Sequence, residues 1–295
     1  MSEPSIPTIE PSQASASGNG AGPRRLRLGG MALRNGLLIH GPTSWAAAAR
    51  AGDGTIKVAS GPKPTFAPRA AAIPLLRGPL KLAEGFAVVP LARRKLPEAR
   101  LPFEDPRVLA AAIAATVAGN LLRRGGQTTP VRESIAAALG LLPAAVALRG
   151  TELAAYHGVE HKAIGAYEQG RADPSEVAKE HERCGSHLIA PLLVLSVAGQ
   201  LTVDRLLERP GRVARLAAAV GAVSIAVELF AWCERNPESA LAQIVRRPGT
   251  EIQRLLATRE PSAEQLEVGS AALDAILHAE GAAGPVAPAQ RAATS

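Results

Sequence analysis

The sequence predicts a mainly α-helical protein: a multi-span helical membrane core of about four helices, carrying a small N-terminal β-containing unit. Three observations lead there. Hydrophobic residues make up 47% of the chain but aromatics only 3%, so Ala, Leu and Val supply the apolar surface, which suits close-packed helices. Four runs, 108–122, 135–148, 188–203 and 216–233, lack Asp, Lys and Arg, and Glu228 is the one glutamate among them. Ahead of them, from Gly29 to about Ala59, the pattern is extended rather than helical.

Taken in order, residues 1–28 read as a disordered tail rich in Ser, Pro, Ala and Gly, without the apolar segment of a secretory signal. Residues 29–100 form the β-containing unit, placed in the cytoplasm. Within it, "LLIHGPTSWAAAARAGDGTIKVAS" has two extended runs about Asp53-Gly54, a dipeptide suited to a tight hairpin, although its Ala run favours helix. An amphipathic piece follows at 73–95.

The membrane core spans 101–235. A span needs about 20 apolar residues. Only 216–233 meets that length unaided; the other runs reach it if flanking residues such as Arg123 and Arg149 snorkel. Clusters such as Arg93-Arg94-Lys95 and Arg246-Arg247 place both termini and the 149–187 loop on the cytoplasmic side of the cell membrane. A soluble bundle with four buried helices is the competing reading. Cytoplasmic helices fill 236–280, where Ser262 with Glu264 and Gln265 marks a helix start, and Leu266, Leu273, Ile276 and Leu277 form an apolar stripe. Residues 281–295 read as a second disordered tail.

The net charge is +7, but the basic residues are scattered, and eight aromatic residues cannot build a base-stacking surface, so no nucleic acid is expected. The expected partner is the lipid bilayer, with a membrane or cytoplasmic protein as a further one. The two cysteines, Cys184 and Cys233, require no disulfide.

The chemistry concentrates in "AAYHGVEHKAIGAYEQG", residues 154–170. His157, Glu160 and His161 spell H-x-x-E-H. At i and i+4 of one helix, both imidazoles reach one ion, and Glu160 lies close enough to act as general base. The segment "HERCGSH" adds His181, Cys184 and His187. Two shells compete. His157, His161 and Glu228 leave an open position for water, which means hydrolysis, whereas His157, His161, His181 and Cys184 close the shell around a structural ion. The expected cofactor is zinc, or another divalent metal. The residues alone favour a metal site and leave its role open; with the family resemblance given below, a zinc-dependent hydrolase is preferred. A non-enzymatic scaffold or assembly factor with a structural metal is the alternative, and a transporter relaying ions through Glu228 is a third.

The landmarks "GGMALRNGLLIHGP" (29–42), "PLLRGPLKLAEG" (74–85), "YHGVEHKAIGAYEQG" (156–170), "HERCGS" (181–186) and "EIQRLLATREPSAEQLEVGSAAL" (251–273) together resemble the DUF1385, or YqhQ-like, family. The resemblance implies a bacterial integral membrane protein with several spans and a predicted metal-dependent enzyme. It also implies a functional set of His157, Glu160, His161, His181, Arg183 and Cys184. The first landmark departs from the family's G-G-Q-A-V-x-E-G-V-M-M-R-G-P, with Met31, Asn35 and His40 at the Gln, Glu and Arg positions. If that glutamate serves the site, Asn35 cannot supply its charge.

Overall fold

Residues 25–66, 68–70, 73–124, 129–208 and 210–282 are described by a computed structural model of the chain. Most of the two expected tails, 1–24 and 283–295, lies outside the described residues.

The extended N-terminal region is a four-stranded antiparallel sheet in sequential order: β1 (Gly29–Leu33), β2 (Gly36–His40), β3 (Ser44–Arg50) and β4 (Ile56–Pro62). The turn at Asp53-Gly54 joins β3 to β4, with Gly54 at φ +85°. The Ala run, which on propensity alone favours helix, lies in β3 because both faces of the sheet are covered. Ala46 and Ala48 join Leu37 and Ile39 in one apolar cluster; Ala47 and Ala49 join Leu38 and Trp45 in another. The period of two divides the alanines between two cores, and their small size lets helices approach from both sides.

One face receives α5 (Glu152–Gln169) and α9 (Ala263–Ala279), through Val159, Ile164, Leu273 and Ile276. Val88 and Ala92 of α1 (Arg77–Lys95) cover the other. The expected start of α9 is present as a reciprocal cap between Ser262 and Gln265, and Leu273, Ile276 and Leu277 are its buried stripe. In α5, every residue from Leu153 to Tyr167 is buried except His157, which is partly so, and the helix ends at Gly170 in the left-handed conformation (φ +71°).

The apolar runs lie in α2 (Pro106–Arg124), in α3 (Pro130–Leu139) with α4 (Leu142–Leu148), in α6 (Ile189–Leu206) and in α7 (Arg212–Arg235). Pro143, in the first turn of α4, accompanies the break between α3 and α4. Among the described residues three segments, not the four expected, are long and apolar enough to cross a membrane: Pro130–Leu148, Gly185–Leu206 and Arg212–Arg235. The run in α2 is diluted by Arg107, Asn120, Arg123 and Arg124. Only 11%, 17% and 22% of the three segments' apolar windows is buried, far less than the core helices of a soluble bundle bury. Helices outside these segments make the helical part larger than the four first expected. One of them, α8 (Ala240–Ile252), runs into a π-helical turn, Gln253–Ala257, before the chain reaches α9.

Candidate metal centre

Helix α5 sets His157, Glu160 and His161 on one side, as their spacing requires. The loop after α5 returns to this side and delivers Cys184, whose thiol caps the short 3-10 turn Gly185–Leu188. A nitrogen from each of His157 and His161 and the Cys184 sulfur all lie within 4.8 Å of one another. His157 Nε2 is 3.4 Å from Cys184 Sγ, and the two rings of α5 are 4.4 Å apart. Glu160 Oε2 lies 3.6 Å from His161 Nε2 and 4.0 Å from His157 Nε2.

The hydrogen bonds behind the rings settle their tautomers. Nδ1–H of His157 donates to the Ala257 carbonyl at 2.9 Å, and Nδ1–H of His161 donates to the Lys179 carbonyl at 2.6 Å. A carbonyl only accepts, so Nδ1 carries the proton in each ring, and Nε2 is the nitrogen that a neutral ring offers to the centre. Backbone carbonyls orient metal-binding histidines in the same way. Nε2 of His161 is buried and has no hydrogen-bond partner among the described residues, although a stranded buried polar atom costs about 1–3 kcal/mol. Two imidazole lone pairs beside a thiol are a donor set that fits zinc.

Burial dominates the electrostatics. It drives the His161 pKa down to about 2, helped by repulsion from His157. It also raises Glu160, against the attraction of His157, His181 and Arg183, and pushes the Cys184 thiol up to about 11, with Glu160 adding to the effect. Without an ion, His161 is a neutral imidazole beside a protonated thiol.

These groups line a cavity of about 530 Å³. Much of its wall is apolar, including Leu28, Met31, Ile164, Ala147, Leu148 and Ile189, and the last three belong to two of the membrane-length segments. Gly30 of β1 is pressed against Glu160: a Cβ there would lie 2.5 Å from both Cγ and Oε1. Only glycine permits that approach.

The other expected residues are placed as follows. His181 lines the cavity, but both its nitrogens are engaged: Nε2 meets Glu168 at 3.0 Å, and Nδ1 accepts from the Arg183 amide at 3.3 Å. Arg183 pairs with the same Glu168 carboxylate and also lines the cavity. The structure does not bring Glu228 to the histidines. It pairs with Arg77 and accepts the Leu75 amide at 3.1 Å, because α1 and α7 meet where Gly78 packs against Val227. Asn35 sits at the β1–β2 turn, donating to the carbonyls of Arg50 and Glu98 and accepting from the Arg100 amide. It ties the sheet to the segment after α1, and is not among the cavity's lining residues, whereas Met31 and His40 are.

Sequence reasoning missed Gln253, which is fully buried. Its Oε1 accepts the His181 amide at 2.7 Å; its Nε2 donates to the His181 carbonyl at 3.1 Å and to Ser186 Oγ at 2.8 Å, and lies 3.1 Å from His187 Nε2. It therefore holds both ends of the segment that carries Cys184. Its π-helical turn also presents the Ala257 carbonyl to His157, a use of local helix irregularity at a candidate site. Only its position in the 251–273 landmark could have signalled it, and backbone carbonyls leave no side-chain signature.

Residues 151–279 match the family described as "Protein of unknown function (DUF1385)". The chain is 32% identical over 132 residues to the "Uncharacterized protein YqhQ" of Bacillus subtilis (strain 168), which is 42% of this chain and 40% of that protein. The aligned part thus spans about two fifths of that relative's length. No solved structure matches the chain. The family match takes in His157, Glu160, His161, Cys184 and the 253–257 turn, and together with the bacterial relative it supports the DUF1385 family for the part of the chain that carries the candidate centre.

Proposed function

We propose that this chain is a membrane-embedded hydrolase that depends on zinc, or on a divalent metal of similar ligand preference. His157, His161 and Cys184 are its protein ligands, and Glu160 is the base that takes a proton from water. One observation carries the reading: the unpartnered Nε2 of His161, its tautomer set by Lys179, points at the His157 nitrogen and the Cys184 sulfur. Three protein ligands beside a cavity are the pattern of catalytic zinc, which leaves a position for water. A bound ion would polarise a substrate carbonyl or phosphoryl group and ease deprotonation of water. The chain's own residues do the rest. Glu160 holds the proton, Gly30 fixes where its carboxylate lies, and the apolar wall excludes bulk water and admits an amphipathic substrate. The segments crossing the bilayer in this proposal are α2, α3 with α4, α6 and α7.

The test is metal content of the detergent-purified protein. About one ion per chain is expected, lost in His161→Ala and Cys184→Ser and retained in Glu160→Gln, which loses turnover. With cobalt in place of zinc, a thiolate charge-transfer band should appear and vanish in Cys184→Ser. Unchanged metal content in both ligand variants sinks the proposal. The structural-metal alternative has one observation in its favour, the 3.6 Å approach of Glu160 to His161 Nε2, from which the carboxylate could close the shell. In that case Glu160→Gln loses the ion. The transporter reading rested on Glu228, which is ion-paired with Arg77. For the spans, a thiol at Thr129, between α2 and α3, should react with an impermeant reagent only from the side opposite a thiol at Asp53.

A further inference from the structure

A second cavity, of about 630 Å³, lies at the end of α7 and is separate in character from the first. Six cationic side chains line it: Arg27, Arg77, Lys81, Arg183, Arg235 and Arg246. The acidic lining residues are two, Glu182 and Glu234. Four of the cations are committed. Arg27 pairs with Glu234 at 2.5 Å, Arg246 with Glu182 at 2.9 Å, Arg77 with Glu228 and Arg183 with Glu168. Lys81 and Arg235 have no ion pair among the described residues, and both are exposed. Two cations without a direct ion pair in a net positive pocket, Arg235 acting on Glu228 only at longer range, form a site for an anion.

The surroundings say which anion. Val227, Phe230 and Ala231 of α7 form the apolar part of the wall, and they belong to the 24-residue membrane-length segment that ends at Arg235. Opposite, α1 comes so close at Gly78 that an added Cβ would lie 2.8 Å from Val227 Cβ, which sets Lys81 one turn further along the pocket. On α1 and just before it, Leu75, Leu76, Leu82 and Phe86 are exposed, Phe86 by 62%. Charge at the end of a membrane-length helix, over apolar side chains open to the outside, matches an acyl chain joined to a phosphate.

We infer that this pocket binds the phosphate headgroup of an anionic glycerophospholipid, held by Lys81 and Arg235 between α1 and α7. The inference rests on membrane association but not on the metal centre, so the two can fail separately.

The full-length protein in neutral detergent is titrated with phosphatidylglycerol or phosphatidylcholine, and retained lipid is counted by native mass spectrometry. Metal content is measured on the same samples. Phosphatidylglycerol should be retained in preference. Lys81→Ala and Arg235→Ala should each weaken its retention about five-fold, and the double variant about 30-fold, at the usual contribution of one basic residue near a lipid surface. Metal content should not change, and Lys57→Ala, an exposed cation on β4, should have no effect. Equal retention of the two lipids, or no loss in the double variant, overturns the inference. So does a third result: inorganic phosphate binding the wild type and not the double variant, without any preference for phosphatidylglycerol, which makes the pocket a site for free phosphate.

Discussion

Replacing Gln253 by Ala tests whether the candidate centre is built from outside its ligands. The side chain is completely buried and makes four polar contacts with residues 181–187. Its removal strands the His181 amide and weakens the satisfaction of the His181 carbonyl, Ser186 and His187. A lost internal hydrogen bond costs about 1 kcal/mol, and a stranded buried donor about 1–3. With three or four groups affected, the loss comes to about 3–5 kcal/mol, a large part of ordinary domain stability. At about 2–4 °C per kcal/mol for chains of similar length, Tm should fall by about 6–20 °C, read from the fluorescence of Trp45 and Trp232 in detergent. Zinc affinity should fall as well, because Cys184 lies in the segment whose two ends Gln253 holds. An unchanged Tm refutes the accounting. A lower Tm with wild-type zinc affinity refutes the positioning role and leaves Gln253 as packing alone.

Gly30→Ala should lower stability by about 1–3 kcal/mol while the ion is retained, because the new methyl meets Glu160 and not a ligand. In a Glu160→Ala background the same change should cost almost nothing, and an equal cost in both backgrounds contradicts the contact. Asn35→Ala should cost about 2–3 kcal/mol by removing three hydrogen bonds, with metal content unchanged, as expected of a tie between the sheet and the segment after α1. Burial, with repulsion from Lys63, lowers the His40 pKa from 6.5 to about 4. The unfolded chain therefore binds the proton more tightly, and stability is complete above pH 6.5 and lost as pH falls to 4. The loss attributable to this residue is about 3 kcal/mol at most. His40→Gln should flatten the stability profile in that window, and an unaltered profile excludes His40 as its source.

Much of the fold was legible where the deciding interactions are local. The Asp53-Gly54 turn, the Ser262 cap and the shared face of His157 and His161 each depend on residues within four or five positions. The Ala run of β3 was not, because its conformation follows from cover on both faces by helices far along the chain. Glu228 shows the same limit in the site. An ionisable group in an apolar run announces a need for a partner without naming it, and the partner is Arg77, 151 residues away, selected by the packing of Gly78 on Val227. His181 has the right chemistry for a ligand, but Glu168 occupies it. No pattern in the sequence marks the carbonyls of Lys179 and Ala257, which turn two histidines into a convergent pair.

The packing of the sheet against α5 and α9 constrains how the chain can thread a bilayer. Elements that share one apolar core lie on one side of it, so residues 29–62, 152–169 and 263–279 are on a common side. Every stretch between them must then cross an even number of times. Between α5 and α9 the count closes if α6 and α7 both cross, one passage outward and one in return. Between the sheet and α5, the α3–α4 segment is the only one of the three membrane-length segments, and a single passage would leave α5 on the wrong side of its own core. If α3–α4 crosses, a second crossing is obligatory. Helix α2 has the length for it, at 19 residues, and it exposes Leu109, Ile113, Val117 and Leu121 as one stripe spaced every four residues. If α3–α4 crosses, parity thus asks of α2 a passage that its composition alone leaves undecided, and the shared core of the sheet, α5 and α9 fixes the side on which the pair must begin and end.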